Sequence, residues 1–372
     1  MKVVYFGTYE RAYPRNAQVI SCLRQAGVEV EECHVPVWEG RRDGWRAGTP
    51  ELVRLGIAEL RLLTRRVPGH DALIVGYPGH LDLPAARRAA RGAPVVFNPL
   101  VSLSDTFVSD RARFRPDGVA ARLLRATDRW ALRHADLVVC DTDAHADFLA
   151  GLAGVDRTRL AVCMVGAEDR IFTPGWAPEP EFRALFVGKL IPLHGVETIL
   201  DAARLAPAIR FRVVGSGQLQ SVLDGAPDNV EHVAWVDYEL LPGELHRAGC
   251  ALGVFGTSAK AGRVIPNKAF QALACGTPLV TADTQAAREL LRDDESALLV
   301  PPGDPVALAR AVTRLAGDAA LARRIGANGR RVYERAASED VLGPRWRALL
   351  EECVANRPPG RRSPRWRPAG RR

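Results

Sequence analysis

The sequence predicts an α/β protein with two doubly wound, parallel-sheet domains that face each other across a cleft, followed by closing helices. Three features lead there. The chain has 372 residues, more than one ordinary hydrophobic core serves, because chains of that size split into units of roughly 100–150 residues. Strand-like apolar runs alternate with helix-like runs, which implies right-handed crossovers and a parallel sheet. The alternation thins at PGWAPEPEFR, residues 174 to 183, with three prolines in ten residues, and then starts again.

The first half opens on the strand KVVYF (2 to 6), a helix from Asn16 to Ala26 closed by Gly27, and the strand VEVEECHV (28 to 35). Further strands fit ALIVGY (72 to 77), PVVFN (94 to 98) and DLVVCD (136 to 141), with helices near 80 to 91 and 118 to 135. These make a first domain at residues 1 to 174. A proline-rich linker is expected at 175 to 183. The second domain, 184 to 354, repeats the architecture with ALFVG, FRVVG (211 to 215), VEHVAW (230 to 235), CALGVF (250 to 255), TPLVTA (277 to 282) and SALLVP (296 to 301). It ends in a helical stretch from Asp304 to Val354.

Hydrophobic residues make up 47% and charged residues 25%, the balance of a globular protein with a sizeable core. The start MKVVYFGTYE reads as a first strand rather than a signal peptide. No run approaches the roughly 18 apolar residues of a membrane span, so a cytoplasmic location is expected. The seven cysteines are odd in number and show no CxxC spacing, which argues against a disulfide framework and a zinc site. Seven of the eight surplus positive charges sit in the tail ANRPPGRRSPRWRPAGRR, residues 355 to 372. That tail is expected to be disordered, either a plain solvated end or an anchor for anionic lipid or other polyanions. The rest is nearly neutral, which argues against nucleic acid as a partner.

Residues 51 to 66, ELVRLGIAELRLLTRR, set Leu52, Leu55, Leu62 and Leu63 against Arg54, Arg61, Arg65 and Arg66. Such a helix either packs its apolar stripe on the sheet or rests on the inner face of a membrane that carries a lipid-linked acceptor.

Ligands of parallel sheets bind beyond the carboxyl ends of the strands. Three segments would gather there in the second half. In LFVGKLIPLHGVETILDAARLA (185 to 206), Gly188 allows close backbone approach, Lys189 adds charge, His194 follows, and the helix after Gly195 starts with unpaired amides. Gly215-Ser216-Gly217 turns from strand to helix, a signal that a tight turn also produces. In RVIPNKAFQALACGTPLVTAD (263 to 283), Pro266 and Asn267 open a helix that Gly276 ends, with Lys268 in its first turn. Converging loops of this kind suit a phosphate group.

These stretches, with ADTQAARELL, ALLVPPGDPVALARAV and VGAEDRIFTP (165 to 174), resemble the retaining, family 4 type glycosyltransferases of the GT-B fold over nearly the whole chain. The resemblance implies two Rossmann-like domains. It further implies a nucleotide-diphosphate sugar bound mostly by the second domain, and an acceptor hydroxyl on a glycan, lipid-linked or small molecule held by the first. No cofactor and no catalytic metal are expected. Family members place an arginine after the first loop's glycine and a lysine five residues on; here Lys189 and His194 stand there and are the expected catalytic pair. The family's two glutamates, eight residues apart, correspond to Arg263 and Gln271. Gln271 retains acceptor capacity toward ribose hydroxyls, and Arg263 suits diphosphate or an acidic sugar. Together with Gly188, Gly215, Gly217, Asn267 and Lys268 they complete the expected donor site.

The histidine that many relatives carry after the fourth strand is missing from NPLVSLSDTFVSDR (98 to 111). Asp105 and Asp110 are the polar candidates there, Asp105 for catalysis, unless they cap local structure or pair with Arg111. Gly7, Thr8 and Arg15 should border the cleft from the acceptor side, Arg15 either on an acceptor phosphate or as an ordinary helix-start residue. Asp141-Thr142-Asp143 reads DxD, a metal signature in another glycosyltransferase fold, but its place between strand and helix indicates a cap. The expected reaction is sugar transfer with retention at the anomeric carbon. Loss of both glutamates keeps open a noncatalytic protein that binds nucleotide sugar or partners another transferase.

Overall fold

The computed structural model describes residues 1–37 and 49–356. Its first sheet contains β1 (Lys2–Gly7), β2 (Glu29–His34), β3 (Ala72–Val75), β4 (Val95–Phe97), β5 (Leu137–Cys140) and β6 (Leu160–Val162), in the order β2-β1-β3-β4-β5-β6. The second contains β7 (Arg183–Val187), β8 (Arg210–Val214), β9 (Val230–Val233), β10 (Cys250–Leu252), β11 (Leu279–Ala282) and β12 (Leu298–Val300), in the order β12-β11-β10-β7-β8-β9. All strand pairings are parallel. Each sheet reverses its strand order once, between β1 and β3 and between β7 and β10, which is where such sheets open a ligand crevice. The two-domain α/β architecture expected from the alternation is therefore present. The three-residue β6 was not anticipated, its apolar run LAV being too short to stand out.

The first domain's helices divide between the two faces of its sheet. On one face lie α2 (Thr49–Thr64), α3 (Leu83–Ala89), α4 (Val119–His134) and α5 (Asp143–Ala153), whose Ala58, Leu62, Leu83, Ala131 and Leu149 pack on Val4, Phe6 and Leu73. On the other lies α1 (Pro14–Gln25). The second domain carries α6 (Val196–Leu205), α7 (Leu241–Arg247), α8 (Asn267–Cys275), α9 (Gln285–Leu290), α10 (Pro305–Gly317) and α11 (Ala319–Ala336).

Two parts of the expected domain division are corrected. The last helix, α12 (Glu339–Ala355), leaves the second domain and packs on α1. Its Leu342, Trp346, Leu349 and Leu350 complete the apolar layer of Val19, Leu23 and Ile74 on the open face of the first sheet. That face would otherwise present an uncovered stripe to water. Conversely, Ile171 and Phe172, assigned to the first domain, enter the cluster of Leu241, Leu245 and Ala248 in the second. The linker then runs along that domain, where Trp176 Nε1 donates to Ala248 O at 2.7 Å. The expected disordered tail lies outside the described residues apart from Ala355 and Asn356.

Candidate active site

Strand register brings two of the three anticipated loops together. Val187 pairs with Val214, so Gly188 and Gly215 emerge side by side at the carboxyl edge of the second sheet. Gly215 has φ +140°, and a Cβ there would lie 1.9 Å from the carbonyl oxygen of Gly188. Only glycine tolerates both the conformation and the approach. The chain continues with Leu190 N donating to Ser216 O at 3.0 Å, and Gly217 lies against the Leu190 backbone.

The third segment arrives from α8, which starts at Asn267 behind Pro266 and stops at the left-handed Gly276. Lys268 in its first turn reaches back beneath the loops. Its Nζ sits 3.7 Å from the ring centroid of Phe186, and a Cβ on Gly188 would be 2.6 Å from that nitrogen. The Lys268 nitrogen is buried without a hydrogen-bond partner, and burial pushes its pKa well below the usual lysine value. An anion that enters supplies the missing partner and favours the charged form of the amine. Gln271, one turn further along α8, lies beside the Tyr238 hydroxyl. With Lys268 it lines a narrow crevice against Val187 and Leu241.

His194 plays a different part from the one expected. Its Nδ1 lies 2.5 Å from the Lys189 carbonyl, so Nδ1 carries the proton and Nε2 is bare. Burial first, and the Lys268 charge second, hold its pKa well below the ordinary histidine value. The ring is neutral and offers a diphosphate neither charge nor donor; it positions the loop, while Lys189 itself is exposed in that loop.

The missing glutamate acquires a structural context. Arg263 Nη2 donates to Asp105 Oδ2 of the first domain at 2.8 Å, its guanidinium lies 3.9 Å from the Phe148 ring centroid, and its carbonyl accepts from Thr142 Oγ1 at 2.6 Å. Asp105 is therefore an ion-pair partner rather than a catalytic group in this state, and Arg263 spends its charge on the seam instead of on a donor. Thr106 and Lys260, which no motif marks, line that seam together with Asp110, the second polar candidate of the sequence. Lys260 Nζ donates to Thr106 Oγ1 at 2.7 Å. Asp110 is buried with both carboxylate oxygens unpartnered; burial raises its pKa while Lys260 and Arg111 pull it down.

On the acceptor side two expectations are corrected. Arg15 is fully buried beneath Trp346, donating to Asn98 Oδ1 at 2.9 Å and to the carbonyls of Cys163 and Met164 at 3.1 and 2.9 Å. It ties β4 to the strand-end loop after β6, with Nη2 enclosed and left without a partner. Thr8, after Gly7, is likewise buried and gives both its amide and its hydroxyl to Asp82, at 2.8 and 3.0 Å. The DTD stretch is a cap: Thr142 Oγ1 accepts from His145 N at 3.0 Å and Asp141 meets the His145 ring at 2.5 Å. Glu289 of the second domain adds to it by accepting from the amides of Asp143 and Ala144.

Comparisons with known proteins agree with this arrangement domain by domain. Residues 3–166 match the family described as glycosyl transferase 4-like domain, and residues 181–318 the family described as glycosyl transferases group 1. The D-inositol 3-phosphate glycosyltransferase of Mycobacteroides abscessus is 28% identical over 299 residues, 72% of this chain and 64% of that protein. The chain spans only 18% to 65% of the length of the curated relatives it matches first. Among solved structures, sucrose-phosphate synthase from Thermosynechococcus elongatus superposes with a TM-score of 0.75 at 18% identity, covering 95% of this chain and 99% of that one. Anabaena HepE, solved in complex with UDP-glucose, gives 0.67 at 16% identity over 95% and 100% of the two chains. These likenesses carry the fold, and the two family matches carry the kinship. The chain belongs to the GT-B glycosyltransferases of the family 4 type.

Proposed function

We propose that the protein transfers a sugar from a nucleotide-diphosphate sugar to an acceptor hydroxyl, with retention at the anomeric carbon and without a metal ion. The observation behind this reading is the unpartnered, buried Lys268 nitrogen beneath Gly188, where three strand-end loops of one domain meet. HepE, of the same fold, binds UDP-glucose, which supports a nucleotide sugar as the ligand of that place.

Lys268, Lys189 and the first amides of α6 and α8 would stabilise the departing diphosphate in a site already set for negative charge. The bond from the anomeric carbon to the diphosphate oxygen breaks, the bond to the acceptor oxygen forms on the same face, and the acceptor proton passes to the leaving phosphate. Gln271 would accept from a ribose hydroxyl, and His194 holds the Lys189 loop. The acceptor is a hydroxyl of a glycan, a lipid-linked sugar or a small molecule, and the setting is cytoplasmic.

The test is incubation with UDP-, GDP-, ADP- and dTDP-sugars, reading transfer or slow donor hydrolysis and the product's anomeric configuration by NMR, with and without a chelator. Turnover with retained configuration that the chelator leaves intact is expected. Thermal stabilisation by a nucleotide sugar with no turnover under any condition would assign the chain to noncatalytic binding.

A further inference from the structure

We infer that the outer surface of the α2–α3–α4 layer seats on an anionic lipid bilayer. The helix α2 has two apolar stripes. Leu55, Ala58 and Leu62 are buried on the sheet, while Val53, Ile57 and Leu60, spaced four and three residues apart on another face, point to water, Leu60 with 65% of its surface exposed. The same holds for α4: Ala121, Ala131 and Leu132 are buried, and Val119, Leu123 and Trp130 are exposed, Leu123 at 63%. Both helices pack on one side of the first sheet. Between them α3 joins the layer, Arg88 Nε donating to Leu63 O at the end of α2 and Arg87 Nη1 to His134 O at the end of α4. Of twelve large hydrophobic residues exposed among the described ones, six lie on α2 and α4, so this is a concentration and not the usual scatter.

Charge selects the occupant. Between residues 50 and 134 twelve arginines are exposed against two exposed carboxylates, Asp71 and Asp117. Arg54 and Arg61 flank the outer stripe of α2, Arg122, Arg129 and Arg133 that of α4, and none of these five forms an ion pair with another of the described residues. Outside the tail the whole chain is almost neutral, so the positive charge belongs to this side of the molecule. A second copy docked on the same surface by a two-fold axis would bring arginines against arginines. A polynucleotide would gain nothing from the outward leucines. Guanidinium groups interleaved with aliphatic and indole side chains on helices lying in one layer suit lipid phosphates with acyl chains just beneath. No helix among the described residues is long and apolar enough to cross a membrane, so the contact lies on the surface. This inference does not depend on the reaction proposed above.

The experiment is sedimentation of the full chain with vesicles of phosphatidylcholine alone and of phosphatidylcholine containing about one third phosphatidylglycerol. Binding to the anionic vesicles alone, falling as NaCl rises, is expected. The triple variant Ile57→Glu, Leu60→Glu, Leu123→Glu changes only exposed side chains and should lose at least about tenfold in partition while its melting temperature holds. A variant with the seven tail arginines replaced by serine should keep most of the binding. Unchanged partition of the triple variant, or loss confined to the tail variant, overturns the inference. So does a purified dimer that the triple variant converts to monomer with vesicle binding untouched, since the surface would then serve self-association. Donor hydrolysis by the triple variant in detergent-free buffer should equal that of the unaltered chain, which separates this result from failure of the proposed reaction.

Discussion

Arg263 and Asp105 meet across the two domains, Nη2 to Oδ2 at 2.8 Å, with 18% and 9% of their side chains exposed. A residue that reverses the charge of the family's first glutamate is thus balanced by a carboxylate 158 positions earlier. Asp105→Asn or Arg263→Gln leaves one charge largely desolvated and should each cost about 2–3 kcal/mol. The double variant should cost clearly less than their sum. Urea unfolding of the four proteins checks this; additive losses would mean that the pair does not couple the domains. Arg263→Glu, which restores the family residue, should be worse than Arg263→Gln because Asp105 and Asp110 then face a third carboxylate.

Lys268→Ala should lower turnover of the nucleotide sugar by about 10²–10³, the usual loss of one preorganised group on a developing negative charge. Its melting temperature should fall only by the lost packing of the stem against Phe186, because the nitrogen has no hydrogen bond to lose. Turnover within a few fold of the unaltered chain would move the anion site elsewhere.

Burial holds the Lys268 pKa low, and a bound diphosphate favours the charged form. Donor or nucleoside diphosphate binding should therefore take up a proton. Calorimetric titration over a rising series of pH values, in buffers of different ionisation enthalpy, should show that uptake, and Lys268→Met should abolish it.

Lys260 is pushed down to about 8 from 10.5, chiefly by burial against the pull of Asp110 and Asp105. Above about 8 the folded chain holds this lysine neutral, while the unfolded chain keeps it charged to about 10.5. The unfolded state binds more protons in that window, so stability rises with pH through it. Relative to Lys260→Met the unaltered chain should gain up to about 3 kcal/mol between those limits. A flat difference in urea stability across that range would contradict the shift.

Arg15→Lys keeps the charge but loses the planar fork that serves Asn98, Cys163 and Met164. It should cost about 2–4 kcal/mol of stability. The KM for any soluble acceptor should stay unchanged, since the side chain is enclosed; a raised KM with unaltered stability would return Arg15 to the acceptor site.

Much of the fold and the donor loops was legible in the chain itself. Strand and helix periods are local, so KVVYF, FRVVG and the rest announce a parallel sheet wherever they occur. Gly188, Gly215 and Pro266-Asn267 mark strand ends and a helix start through backbone rules that hold over a few residues. Lys268 could be placed at the mouth of the sheet for the same reason. Tertiary structure alone decided the roles that depend on distant partners. Arg15 reads as an acceptor-phosphate or helix-start residue until Trp346 covers it, Asp105 reads as a catalytic candidate or a cap until Arg263 reaches it, and α12 reads as part of the second domain until Trp346 meets α1. His194 reads as a donor until burial and the Lys189 carbonyl settle its proton. Desolvation and pairing arise from which side chains the completed fold brings together, and no local pattern of residues encodes that.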